Sequence, residues 1–319
     1  MTPILLQTFP FFALVLCGYL AARRAVLPLS AIPGLNTFVL YFALPCMLFR
    51  FGSATPLAQL LDLRLALLYL ASGLLIVALT VLLTRRGRVG WNDAAFGALV
   101  AAFPNTGFMG VPLLVALVGS AAAGPAIVTI VVDLVVITSL CIALSRLDSA
   151  GLQGAGQAAR NALKGVASNP MPWAVLLGAL ASGLGYEPLG PVMATIDLLA
   201  DAASPVALFT IGAVLARSQM TSTDGIALAL RSEASVVLIK LLIHPLLVAG
   251  LGWLGIRAGW GLSPFSVTVA TLVAALPSAS NVALLSERFG ADTARIARII
   301  LWSTAWAFLS FSAAVAWLL

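Results

Sequence analysis

Ten stretches of the chain are apolar over roughly the 20 residues that a helix needs to cross a bilayer, and the charged residues sit almost entirely in the short intervals between them. They run near 3–22, 34–52, 63–84, 92–118 and 123–145, then 170–186, 192–216, 233–256, 264–288 and 294–319. These segments and their connections use up all 319 residues, so any function has to reside among the helices themselves. The balance of residue types agrees: 61% are hydrophobic and 9% charged, against roughly 25% charged in soluble domains. The pattern predicts an all-α integral membrane protein with ten transmembrane helices.

The basic residues orient those helices, because Lys and Arg concentrate in cytoplasmic loops. Taken alternately, the intervals on one face hold Arg23, Arg24, Arg85, Arg86, Arg88, Arg146, Arg160, Lys164, Arg217, Arg231, Arg288, Arg295 and Arg298. The other face holds only Arg50, Arg64 and Arg257. The richer face is expected in the cytoplasm and both termini outside. Topology thus accounts for the formal charge of +6, and no basic tract long enough to suggest nucleic acid occurs. A signal peptide carries its positive charge ahead of the apolar core, whereas Arg23 and Arg24 follow it, so the first segment is expected to stay as a span. Cys17, Cys46 and Cys141 lie in apolar runs without paired or metal-like spacing, which argues against disulfides and against a metal site. No cofactor is expected.

The two sets of five segments resemble each other. Ala101-Ala102-Phe103-Pro104-Asn105-Thr106-Gly107 in the fourth lines up with Ala274-Ala275-Leu276-Pro277-Ser278-Ala279-Ser280 in the ninth. Pro45-Cys46-Met47-Leu48-Phe49 in the second lines up with Pro205-Val206-Ala207-Leu208-Phe209 in the seventh. Residues 1–146 and 170–319 therefore read as two repeats joined by a glycine-containing cytoplasmic linker, 147–169. An odd number of spans in each places them in opposite orientations, an inverted repeat. Proline removes a backbone donor and opposes the preceding turn, and the polar groups a break exposes are tolerated in a membrane only where protein buries them or water reaches them. A lone proline commonly just kinks a helix. Paired breaks at matching places instead predict that helices 4 and 9 cross at a transport site, formed by Pro104, Asn105, Thr106 and Gly107 with Pro277, Ser278, Ser280 and Asn281. Half-helix amino ends, each worth roughly half a positive charge, would favour an anion there. Asn105 and Asn281 could bind a carboxylate without the cost of a buried full charge.

Ionisable residues within spans are candidates for function. Asp133 lies mid-span among apolar neighbours, where burial favours a protonated carboxyl, as a proton carrier requires; the alternative is a structural carboxylate bonded to Ser, Thr or Lys. Lys240 could neutralise Asp133 or an anionic substrate, and His244, four residues on, would share its helix face. These three form the ion-coupling set, with a purely structural role open for each. Asp197 and Asp201, at the start of the seventh segment, are expected to be solvated.

At Phe103-Pro104-Asn105-Thr106-Gly107-Phe108-Met109-Gly110-Val111-Pro112-Leu113-Leu114 the chain resembles the auxin efflux carrier family, which includes the plant PIN-formed carriers and bacterial malate and malonate permeases. Weaker likeness lies in Leu35-Asn36-Thr37-Phe38-Val39 with Leu44-Pro45, in Ser204-Pro205-Val206-Ala207-Leu208-Phe209, in Lys240-Leu241-Leu242 with His244-Pro245, and in Leu276-Pro277-Ser278 with Asn281. The resemblance implies ten helices in two inverted repeats, proline crossings in helices 4 and 9, extracellular termini, and elevator-type transport, often by homodimers. Residues 147–169 are too short for the large cytoplasmic loop of the long plant carriers, which points to a bacterial permease of the cytoplasmic membrane.

Rival activities lack their motifs. There is no Gly-x-Ser-x-Gly, no His-Glu-x-x-His and no phosphate-binding loop, so neither an intramembrane enzyme nor an ATP-driven pump is expected. A channel or a receptor remains the alternative. The reading is a secondary transporter of a mono- or dicarboxylate, with H+ or Na+ as coupling ion and membrane lipid around it.

Overall fold

The computed structural model describes residues 2–86, 89–147, 160, 170–221 and 233–319. Most of the linker 147–169, including Lys164, therefore lies outside the described residues, as do Arg88 and Arg231. Among the described residues every regular element is helical, apart from one isolated antiparallel bridge between Pro104 and Ser278. In chain order the helices are α1 (Thr2–Arg23), α2 (Leu29–Ala54), α3 (Leu63–Arg86), α4a (Trp91–Ala102) and α4b (Thr106–Val118). After these come α5 (Ser120–Ser145), α6 (Pro170–Leu184), α7 (Gly190–Thr221), α8 (Glu233–Arg257), α9a (Pro264–Ala275), α9b (Asn281–Arg288) and α10 (Thr293–Leu318). Six of the described helices are long and apolar enough to cross a membrane: α2, α3, α5, α8, α10 and the Gly190–Arg217 part of α7. The chain is a multi-pass membrane protein.

The helices pack into two compact units. The first comprises Met1–Leu63, Thr106–Ile130 and Asn169–Thr221. Within it α1 lies against α7 with no side chain between them at two points: a Cβ on Gly18 would meet the Phe209 carbonyl, and one on Gly212 the carbonyl of Val15. Gly52 and Gly178 bring α2 and α6 together less closely, and a Cβ on Gly178 would sit 2.7 Å from the Phe49 carbonyl oxygen. Lipid supplies no hydrophobic drive for such pairs, so close backbone packing at small residues has to hold them. Asp197 and Asp201 keep 43% and 70% of their side-chain surface exposed, as the sequence suggests, and also have a cationic partner. Arg50 on α2 reaches across to both, at 3.5 and 2.7 Å.

The second unit comprises Arg64–Asn105, Val131–Ser168 and Ser222–Leu319, so each unit draws on both 1–146 and 170–319. At one end of it a polar network ties helix starts together. Arg295 of α10 donates to the Asp93 carbonyl of α4a, the Asp292 amide donates to the Asp93 carboxylate, and Arg298 donates to Glu233 of α8 at 2.8 Å.

Four of the described helices contain a widened π-turn. Three of these turns, Val39–Ala43, Thr106–Gly110 and Ile239–Ile243, each end two residues before a proline: Pro45, Pro112 and Pro245. A wider turn relieves the clash of the proline ring with the carbonyl one turn back. The fourth, Val132–Ile137, has no proline; it contains Asp133, whose carbonyl accepts a hydrogen bond from Thr138 Oγ1 at 2.7 Å.

Candidate functional site

Two helices of the second unit stop at proline. A residue before proline is pushed from the helical into the extended region; accordingly Phe103 (φ −96°, ψ 102°) ends α4a and Leu276 (φ −63°, ψ 157°) ends α9a. The exposed backbone then pairs with itself. Asn105 N–H donates to the Pro277 carbonyl at 2.8 Å and Ala279 N–H to the Phe103 carbonyl at 3.0 Å, giving a two-stranded antiparallel contact centred on Pro104 and Ser278. The Ser278 amide turns to Ser303 Oγ of α10 at 3.2 Å.

Backbone groups at the crossing are thus satisfied while side chains are not. Ser278 Oγ and Asn281 Oδ1 are buried with no partner, beside a buried Asn105. Buried polar atoms normally find a hydrogen bond, and exceptions ask for a reason; a polar ligand is one. Pro104, Asn105, Pro277, Ser278, Ser280 and Asn281 come together in this unit. Thr106 and Gly107 are grouped with the first unit, where Gly107 faces the Leu44 side chain.

Behind the crossing lies a second buried group. In a continuous α9 the Ala274 carbonyl would accept from residue 278, four positions on. That amide points elsewhere, and Lys240 Nζ of α8 takes its place, donating to Ala274 O at 3.0 Å. The same Nζ stands 3.2 Å from His244 Nδ1; Asp133 of α5 is near enough to interact with it electrostatically but forms no ion pair with it. Asp133 accepts from the Tyr69 hydroxyl of α3 through Oδ2 at 3.2 Å, and the Tyr69 ring lies 5.9 Å from that of His244. All four side chains have no exposed surface. Asp133 Oδ1 and His244 Nε2 have no partner.

Lys240 and His244 are therefore neighbours, tied by the amine to the broken end of α9a, and Asp133 joins them through Tyr69. Tyr69 is the member that sequence reasoning omits. The available signal was a phenol midway along an apolar run, since a buried Tyr hydroxyl needs a partner. Among the described residues no three of His, Cys, Asp and Glu stand close enough to hold a metal ion.

Comparison with known proteins gives a consistent result. The profile of a family described as "Membrane transport protein" matches residues 3–154 and 156–315. A Rhizobium meliloti protein named "Putative malonate transporter" is 30% identical over 298 residues, covering 92% of this chain and 89% of that protein. An uncharacterized transporter of Methanothermobacter thermautotrophicus is 29% identical over 295 residues, 91% of this chain and 90% of the relative. The uncharacterized transporter YfdV of Escherichia coli is 26% identical over 291 residues, 89% and 88% of the two chains.

Proposed function

The chain belongs to the membrane transport protein family, the auxin efflux carriers, and from that premise we propose that it is a secondary carrier of a small carboxylate across the cytoplasmic membrane. The observation that carries this reading is the crossing itself, where paired backbone segments leave the Ser278 hydroxyl, which can donate, buried and unpartnered. The Ser278 hydroxyl and the Nδ2–H groups of Asn105 and Asn281 would donate to the carboxylate, with Pro104, Pro277 and Ser280 shaping the backbone around it. A neutral amide and hydroxyl can donate to an anion without holding it as tightly as a full positive charge would, which suits a ligand that must be released.

Lys240 supplies the positive potential from behind, through the Ala274 carbonyl it caps. Asp133, with one carboxylate oxygen free, is the proposed seat of the coupling H+ or Na+, with Lys240 and His244 as its partners. The ten segments would form inverted repeats 1–146 and 170–319 about the linker 147–169, with both termini outside. Alternating access would be of the elevator type, the second unit carrying the substrate.

The name of the Rhizobium relative makes malonate the first substrate to try. Purified protein in liposomes should take up labelled malonate or a related mono- or dicarboxylate saturably, show counterflow, and respond to an imposed pH or sodium gradient. Flux that neither saturates nor exchanges would mark a channel, and absence of flux across the carboxylate panel would remove the carrier reading. Asn105→Ala should raise KM, and Asp133→Asn should abolish gradient-driven uptake.

A further inference from the structure

Helices α8 and α10 leave between them an apolar groove of about 680 Å³, walled by Leu238, Leu241 and Leu242 on one side and Trp302, Trp306 and Ala313 on the other. Both helices are long enough to cross a membrane. Trp306 keeps 56% of its surface and Leu238 55% in the folded chain, so the groove opens away from the protein. One turn before Trp302 on the same helix, Arg298 donates through Nε to Glu233, the residue next to the groove-lining Ala234. That bond engages one of five guanidinium N–H groups, and the Arg298 side chain remains 20% exposed. From Arg298 to Ala313 the helix rises about 22 Å at 1.5 Å per residue, the depth of one leaflet with its head groups, which is about 20–22 Å. The groove is therefore a chain-length apolar channel with a cationic fork at its end.

The back wall carries a second feature. Leu241 and Leu242 belong to the π-turn Ile239–Ile243, and the same turn presents Lys240 to the Ala274 carbonyl. A single π-turn interrupts the regular ladder of hydrogen bonds, so anything packed on Leu241 and Leu242 braces the segment that holds Lys240.

We propose that this groove is a phospholipid site. The phosphate sits on the free edge of the Arg298 guanidinium, where planar bidentate contacts to phosphate are favoured, and one acyl chain runs past Trp302 and Trp306 to Ala313. The head group is zwitterionic. Among the described side chains around this end, Glu233, Asp93 and Asp292 outnumber Arg295 and Arg298 by one negative charge, which disfavours a purely anionic lipid and accepts an ethanolamine head.

The test is tryptophan quenching in full-length protein reconstituted with phosphatidylethanolamine brominated on its chains and diluted into unbrominated lipid. The signal of the groove is the difference between the native protein and the Trp302→Phe, Trp306→Phe variant. Trp173 and Trp253, exposed to similar degrees outside the groove, report the general lipid annulus. Groove tryptophans should be quenched at a brominated fraction about tenfold lower than the annulus, the preference one charge-assisted hydrogen bond supplies. Ala313→Phe, or Ala234→Phe should the first not fold, fills the groove and should erase that preference. The paired change Glu233→Gln, Arg298→Gln removes the phosphate contact without stranding a carboxylate and should reduce it. Added phosphatidylethanolamine should also raise the melting temperature of the native protein and leave Ala313→Phe unmoved. Quenching in step with the annulus would mean annular lipid only. Equal competition by a brominated diacylglycerol would mean that phosphate is not read, and protection that rises with protein-to-lipid ratio would make the groove an interface between copies. Any of these three results overturns the proposal.

Discussion

Replacing Lys240 by Met keeps an unbranched side chain of similar length and deletes one amine that serves three neighbours. The Ala274 carbonyl loses its donor, His244 Nδ1 loses its contact, and Asp133 loses the cation that acts on it. A stranded buried carbonyl costs about 1–3 kcal/mol, and the attraction between the amine and a carboxylate beyond ion-pair distance is worth about 1–3 kcal/mol, so the single variant should lose about 2–6 kcal/mol. Asp133→Asn leaves the amine bonded to Ala274 O and beside His244 and should lose only that attraction, about 1–3 kcal/mol. With both changes the attraction is lost once and not twice, and the total should again be about 2–6 kcal/mol. The cycle should therefore show a favourable coupling of about 1–3 kcal/mol. Unfolding of the purified protein in mixed micelles, followed by circular dichroism as denaturing detergent is raised, measures all four corners. Losses that simply add, to within about 0.5 kcal/mol, would mean that the two charges do not sense each other and that the cluster is no unit.

Three further outcomes follow from the same geometry. Tyr69→Phe removes the hydroxyl that donates to Asp133 Oδ2 and should cost about 1.5–3 kcal/mol in the same unfolding assay; a loss within noise would show the phenol to be incidental. Ser278→Ala and Asn281→Ala delete oxygens that have no partner, so stability should stay within about 0.5 kcal/mol while KM for the carboxylate rises about tenfold; an unchanged KM would remove both from the pocket. Gly212→Ala drives a methyl into the Val15 carbonyl and should destabilise by about 1–3 kcal/mol, a result that normal thermal stability of the variant would contradict.

Much of this architecture was open to reading from the chain. Apolar length and the position of charges mark the helical segments because a bilayer imposes both. The interruptions at 103–105 and 276–280 were legible because proline acts on its immediate neighbour, through sterics that need no tertiary context. Tyr69 with Asp133, Arg50 with Asp197 and Asp201, and Arg298 with Glu233 were not. Each joins side chains 64 to 151 positions apart, and a hydropathy pattern says which face of a helix is apolar without saying which helix it meets. Lys240 was visible as a charge within a span. That its partner would be a backbone carbonyl could be known only once the Ser278 amide was seen to turn to Ser303.

Proline alone does not explain where the helices break. Pro10 and Pro205 lie inside continuous helices, and Pro45, Pro112 and Pro245 are absorbed by the π-turns that precede them. Pro104 and Pro277 differ in that each interruption has the other to pair with. In hydrocarbon an unsatisfied backbone group costs several kcal/mol, so a break persists only where partners exist, and Phe103, Asn105, Pro277 and Ala279 supply them reciprocally. The crossing is then a joint property of two segments, and it should survive loss of one proline. In Pro104→Ala, a continuous α4 would strand the Pro277 carbonyl and the Ala279 amide at about 1–3 kcal/mol each, a cost that opposes the helical bonds, about 0.5–1.5 kcal/mol each, that the amides of residues 104 to 107 could form. The amides of Asn105 and Ala279 should stay protected in hydrogen-exchange mass spectrometry of that variant. Fast exchange at Ala279, on the untouched segment, would show that proline, and not pairing, holds the helices open.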